Sequence, residues 1–237
     1  TTEHTLSLHD ALPIWFAATP QAAELPEYRM EVGSRDDPYT ITGTARANIR
    51  EEVAFKATAD GRQIDLDRLQ SAPDAEGGEV SLERRVAVLR DLIDRIPVPS
   101  AQGSIDLLLP AIVAGDTVIR EVRSTVEPDR DGWRVRAFKA LLPGNTTVEA
   151  RGRLGTGGDF GFSGHMVLAS RQPTGFATWL AGKSNAQLRQ LGRAGFSADV
   201  TFSDSQTSFD NLELVLNEAK LRGKLQRLSP IAGRQGS

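Results

Sequence analysis

The sequence predicts a mainly-β protein: a long antiparallel β-meander with one or two short helices that cover or cap it. Three observations carry this. Apolar and polar residues alternate along five separate stretches, the period of a half-buried strand. The breaks between stretches carry hairpin-turn residues. Only two regions depart from that pattern.

The elements follow in order. From 41 to 49, Ile41, Gly43, Ala45, Ala47 and Ile49 share one face, and Thr40, Thr42, Thr44, Arg46 and Asn48 the other. Val53, Phe55, Ala57 and Ala59 repeat this opposite Lys56, Thr58 and Asp60. Val148, Ala150, Gly152 and Leu154 alternate with Thr147, Glu149, Arg151 and Arg153. Phe196, Ala198, Val200 and Phe202 alternate with Ser197, Asp199, Thr201 and Ser203. Leu212, Leu214 and Leu216 alternate with Glu213 and Asn217, with Val215 the exception. Asp60-Gly61, Asp131-Gly132 and Pro143-Gly144-Asn145 sit between runs, as does Gly155-Thr156-Gly157-Gly158. Such residues supply the positive φ of tight turns, so neighbouring strands should be antiparallel. Runs 116–127 and 132–141 are long, which makes the sheet tall as well as broad.

Residues 71–80 read as a loop and 81–96 as a helix. Leu82, Val86, Leu89, Ile93 and Ile96 recur at helical spacing, with Ser81 as N-cap and Pro97 as stop. A weaker helical patch spans 173–191, anchored by Phe176, Trp179 and Leu180. The organisation expected is a first β segment over 15–70, a loop-and-helix insertion over 71–102, a second β segment over 103–228 and a tail over 229–237. Stretches 105–154 and 195–225 both close on Arg-Gly-(Arg/Lys)-Leu, a weak sign of a recurring unit. The string Glu3 to Ile14 resembles translated sequencing-adapter read-through, so 1–14 are set aside as non-native. No export signal or anchor is legible, because the longest apolar stretch, 11–18, is short and holds Pro13.

Composition narrows the chemistry. Of 237 residues, 39% are hydrophobic and 25% charged, which excludes wholesale disorder. The net charge of −3 leaves no basic footprint for nucleic acid. There is no cysteine, which excludes disulfides, thiol catalysis and Cys-based metal sites. Gly161-Phe162-Ser163-Gly164-His165 fails the nucleophile-elbow pattern, since His165 stands where glycine is needed. His165 therefore reads as a strand histidine. Asp129-Arg130-Asp131-Gly132 lacks the remaining ligands of a calcium loop and reads as a hairpin turn. Asp65 and Asp67 read as the wet side of a strand. Asn145-Thr146-Thr147 matches a glycosylation acceptor but also an ordinary turn. Catalytic residues, metal ligands, cofactors and nucleic-acid partners are accordingly expected to be absent, and no enzyme is expected.

The stretch Tyr28 to Leu69 resembles AsmA-type proteins of alphaproteobacteria. So do Gly115-Asp116-Thr117-Val118-Ile119, Asp131-Gly132-Trp133 and Leu142-Pro143-Gly144-Asn145-Thr146-Thr147. Phe209-Asp210-Asn211-Leu212-Glu213-Leu214, running to Lys220-Leu221-Arg222-Gly223, adds to the likeness. The resemblance covers 28–228 and implies a repeating β-groove, a long curled sheet with an apolar trough. It implies a fragment of a periplasmic protein anchored in the inner membrane by an N-terminal helix. It further implies a link to phospholipid traffic, outer-membrane biogenesis and envelope integrity. The chain shows no anchor helix and is shorter than such proteins.

The apolar face is unusually rich in small residues, which leaves room for an apolar ligand or a closely packed helix. The expected partner is phospholipid or another acyl-chain lipid. The expected trough lining is Ile41, Ala45, Ala47, Ile49, Val53 and Phe55 in the first segment. In the second it is Val148, Ala150, Leu154, Phe196, Ala198, Val200, Phe202, Leu212, Leu214 and Leu216. The rival expectation is a structural or protein-interaction module whose helix 82–96 plugs the sheet. A hydrolase centred on Ser163 or His165 is a third.

Overall fold

The computed structural model describes residues 2–6, 14–19, 21–34, 37–49, 54–65, 90, 93–94, 96–113, 117–157, 160–181, 190–203 and 205–228. Strands dominate, as the alternation predicts. They are β1 (Thr2–Leu6), β2 (Ile14–Thr19), β3 (Ala22–Ser34), β4 (Asp37–Asn48), β5 (Ala54–Gly61) and β6 (Gln63–Asp65). After the insertion come β7 (Gln102–Val113), β8 (Val118–Asp129), β9 (Gly132–Leu142), β10 (Thr146–Gly155) and β11 (Gly161–Ser170). The helix α1 (Pro173–Ala181) precedes β12 (Ala194–Ser203), β13 (Gln206–Leu216) and β14 (Ala219–Leu228). All belong to one sheet whose order follows the chain from β1 to β14, with β6 pairing beside β5 on β7.

Among the described residues every pairing is antiparallel except at one junction. There β5 and β6 run parallel to β7, Ala54 opposite Gln102 and Ile64 opposite Ile112. The connection over 66–101 must carry the chain back to the end where β5 began, which a hairpin cannot do. So the meander has two antiparallel parts joined in parallel at the predicted insertion. Of the predicted helix 81–96, Arg90, Ile93 and Asp94 are described and helical. Ile96 is described as an exposed bend, so the helix stops short of the predicted end at 96. The remaining residues of that helix, the loop 71–80, Val53 and the tail 229–237 lie outside the described residues. The patch predicted over 173–191 is helical over Pro173–Ala181, and 182–189 lie outside. Residues 2–6, set aside in the sequence, pair with β2 as an outer strand.

Register explains where the core sits. Ala45 lies opposite Ala57, Ala57 opposite Ile105, and Ile105 opposite Val126. Val126 faces Val135, Val148 lies between Ala140 and Leu168, and Leu168 faces Phe196. One apolar face therefore runs unbroken through the sheet. The buried apolar strand residues are Ala59, Leu109, Val122, Trp133, Val135, Ala140, Val148, Ala198 and Val200. All of them sit on that face. Leu109, Val122, Ala140 and Val148 form its centre, flanked by Leu107, Phe138, Leu142 and Met166.

Among the described residues six register shifts interrupt the ladder, including those at Arg120/Arg123, Ala150/Gly152, Ser197/Asp199 and Phe209/Leu212. Glu121 and Asn211 take φ of 54° and 51° at three of these. Bulges add local twist and bend, so the sheet curls. Gly43 serves a different need: a Cβ there would strike the Thr58 carbonyl, and its absence lets Tyr28 reach across β4. The Tyr28 hydroxyl donates to that carbonyl at 2.6 Å.

The described helical residues meet the sheet at its two ends. Gln172 donates to the Gly144 carbonyl at 2.9 Å, seating α1 against the β9–β10 turn. Gly144 has φ of 71°, and a Cβ there would press on the Phe176 backbone at 2.5 Å. Beneath this turn Thr146, fully buried, donates to Ser170 Oγ at 2.8 Å. At the opposite end, the β10–β11 turn, the Gly157 amide donates to Asp94 at 2.7 Å and Arg90 donates to the Gly157 carbonyl at 3.1 Å. The Arg90 guanidinium also lies 5.0 Å from the ring centre of buried Phe160, a cation–π distance.

The contrast between the core and β14, exposed along its length, gives a direct test. Leu109→Ala is expected to cost about 2–4 kcal/mol through lost burial and a cavity. Leu221→Ala, 55% exposed, is expected to change stability by no more than about 0.5 kcal/mol. Urea midpoints of the two variants check both values.

Candidate functional site

The two faces of the sheet differ in chemistry, and each offers a candidate site. On the apolar face, register aligns most of the sequence-predicted residues. Ile41, Ala45 and Ala47 on β4 pair with Gly61, Ala57 and Phe55 on β5. Val148, Ala150 and Leu154 on β10 pair with Leu168, Met166 and Phe162 on β11. Phe196, Ala198, Val200 and Phe202 on β12 pair with Leu168, Met166, Gly164 and Phe162 from its other side. Leu214 and Leu216 on β13 pair with Phe196 and Ala194, and Leu212 pairs with Gly223 on β14. Ile49 follows β4 and is 43% exposed, beyond the trough proper. Val53 lies outside the described residues.

Burial sorts these positions. Val148, Ala198 and Val200 are buried and belong to the structural core. Ile41, Ala45, Ala47, Phe55, Ala150, Leu154, Phe196, Leu212, Leu214 and Leu216 are half-buried, and Phe202 is exposed. The edge rings Phe196 and Phe209 meet at 5.7 Å in a T-shaped contact, a favoured arrangement.

The polar face carries opposed charges across neighbouring strands. Lys139 meets Glu149 at 3.0 Å and Arg222 meets Glu213 at 2.7 Å, each pair directly opposite in register. Arg136 meets Glu127 at 2.8 Å and Lys224 meets Asp210 at 2.6 Å. Exposed pairs contribute only about 0–1 kcal/mol each, but like charges in these positions would oppose the register. Asp129 gathers Arg134 at 3.3 Å and Arg153 at 3.2 Å. The Arg130 amide and these guanidiniums hold the Asp129 carboxyl below its ordinary value. The stretch 129–132 is therefore a braced hairpin turn, as read from the sequence. Asn145, with φ of 52°, is likewise a turn residue.

One cluster on this face is of another kind. His165 on β11 is the strand histidine the sequence predicts, directly opposite Asp199 on β12. Its Nδ1 lies 3.0 Å from Asp199 Oδ1, and its Nε2 lies 3.2 Å from Ser197 Oγ. Asn211, in its left-handed bulge on β13, donates to Asp199 Oδ2 at 2.7 Å. The Asn211 amide first, and His165 second, hold the Asp199 carboxyl below its ordinary value. An ionised carboxylate only accepts, so a neutral imidazole places its proton on Nδ1 and leaves Nε2 to accept from Ser197. Beside it lies a depression of about 480 Å³ walled by Arg136, Lys139, Arg151, His165 and Val167, among others. Of the two candidates in the sequence motif, Ser163 lies opposite Thr201 and only His165 joins this cluster. Ser197 and Asp199 looked like the wet side of an amphipathic strand, and only the β11–β12 register brings them to the ring.

Among the described residues there is no cluster of His, Asp and Glu able to hold a metal ion. No described helix is long and apolar enough to cross a membrane. Comparison with protein-family models, curated proteins and solved structures finds no match.

The Asp199 network implies a defined acid response. A carboxyl with a lowered folded value contributes stability above its unfolded value, and that contribution disappears as pH falls through the folded value. Stability is therefore expected to fall from about pH 4 downward. Asp199→Asn should flatten that slope while leaving the far-ultraviolet circular dichroism of the sheet unchanged. Urea midpoints measured from pH 2 to pH 7 check this.

Proposed function

We propose that the inner face of the curled sheet is a lipid-binding trough, and that the chain is a lipid-transfer segment of an AsmA-like envelope protein. The observation that carries this reading is the single apolar face, continuous in register from β4 to β13, with half-buried side chains along its course. Among the described residues no second sheet lies over that face, and the described helical residues meet the sheet at its ends. A phospholipid or other acyl-chain lipid would lie along it, each buried CH₂ gaining about 0.8 kcal/mol. Headgroups would stay in water at the open rim. Binding on this face is shared among many side chains and needs no catalytic residue. The setting that fits is the periplasm, with membrane attachment through an N-terminal anchor and a role in outer-membrane biogenesis.

A second reading, a structural or protein-interaction module with a plugged face, draws on the grip of Arg90 and Asp94 on Gly157. Those described contacts are at the β10–β11 turn rather than along the trough.

Burial selects the variants. Ala198 has no exposed surface, so glutamate there would disrupt the core. Ala47 and Ala150 are half-buried and face the trough. Wild-type protein made in the bacterial periplasm is expected to carry phospholipid in native mass spectra. Ala47→Glu and Ala150→Glu are expected to remove it while preserving the strand content. A lipid-free folded wild type would sink the trough reading, as would lipid retained in both variants.

A further inference from the structure

The Ser197–His165–Asp199 cluster goes beyond lipid binding, because it lies on the opposite face of the sheet. Elsewhere on that face polar side chains mostly meet as opposite charges. Here a neutral hydroxyl, an imidazole and a carboxylate are chained at 3.2 Å and 3.0 Å across β11 and β12. A third strand supplies Asn211, whose left-handed backbone aims its amide at the far carboxylate oxygen at 2.7 Å. Bulges that re-aim a side chain in this way are concentrated next to active sites. Base within reach of nucleophile, and base oriented by a third group, is the arrangement that activates a serine.

We propose that Ser197, His165 and Asp199 form a hydrolytic triad that cleaves carboxylic esters bearing an anionic group. Ser197 Oγ attacks the acyl carbon while its proton passes to His165 Nε2. The carbon–oxygen bond to the alcohol breaks, and the alcohol leaves with that proton. Water then attacks the acyl-serine, gives a proton to Nε2, and Ser197 recovers it as the free acid departs. Ester and water give acid and alcohol, and no further reactant is required. Asp199 keeps the imidazole in the tautomer that accepts from serine and balances the imidazolium that forms. Asn211 is a positioning residue. Arg151 is directly opposite His165 in register and close enough to act on the Asp199 charge. Arg136, Lys139 and Arg151 line the neighbouring depression against one carboxylate, Glu149, which pairs with Lys139; the remaining positive charge sets the preference for an anionic substrate.

The full chain is treated with a fluorophosphonate probe, which labels only activated serines, and the modified peptide is identified by mass spectrometry. Hydrolysis of p-nitrophenyl succinate and p-nitrophenyl acetate is followed in parallel. Label on Ser197 is expected in the wild type. It should be absent in Ser197→Ala and slower by about a hundredfold or more in His165→Gln. Asp199→Asn should lose ester hydrolysis and shift its pH profile, with partial recovery in Asp199→Glu. Succinate should be preferred over acetate, and Arg151→Gln should remove that preference. Circular dichroism confirms that these surface variants keep the sheet. A folded wild type that takes no label at Ser197, or labelling equally fast in His165→Gln, overturns the triad. Equal rates on the two esters in the wild type overturn the anionic-substrate assignment.

Discussion

The architecture depends on one constraint: a single sheet has one apolar face, and that face must leave water. A sandwich solves this with a second sheet, and a doubly wound protein with helices on both sides. Here the buried apolar strand residues, from Ala59 on β5 to Val200 on β12, lie on one face of one continuous sheet. The sheet shelters that face by curving around it. The bulges supply the bending, and the small residues on β4, β5, β10 and β12 supply the clearance. The same curvature leaves many of the lining side chains half-buried, so the solution to a folding problem is also a place for an apolar guest.

The opposite face is freed from packing and becomes available for polar work. Directly opposed charges such as Lys139 and Glu149 reinforce register without contributing much energy. Because β11 pairs with β10 and with β12 without a register shift, Ser197 and Asp199, two apart on β12, are both presented to His165 on β11. The His165 network is a product of that local regularity, and the shift between β12 and β13 at Asn211 adds a third strand to it. A protein built this way separates its two chemistries by the thickness of one sheet.

Much of the fold was legible in the sequence because alternation is a local signal. The run from Ile41 to Ile49 displays both faces without reference to any other strand, and Asp131-Gly132 marks its own turn. What stayed hidden depends on pairing between distant segments. Nothing in residues 54–61 says that β5 pairs parallel to β7. The bulge at Asn211 shifts the pairing of everything beyond it, and glutamate, asparagine and aspartate around it read as ordinary wet-side residues. Ala198 and Ala47 are identical in pattern, yet one is fully buried in the middle of β12 and the other half-open beside the end of β4. Likewise, Ser197 and His165 are unremarkable until the register places them together.

The parallel junction at β5 and β7 has a consequence for how the chain reaches this structure. Hairpins form between sequence neighbours, so β2 to β5 and β7 to β14 can each assemble through local contacts. Bringing β5 against β7 requires closing the crossover over 66–101 first, and such non-local closure is slow relative to hairpin formation. The two parts are therefore natural kinetic units, with the junction as the late step. Until it closes, the inward edges of β5 and β7 stand unpaired, and that interval is when two molecules are most able to exchange halves.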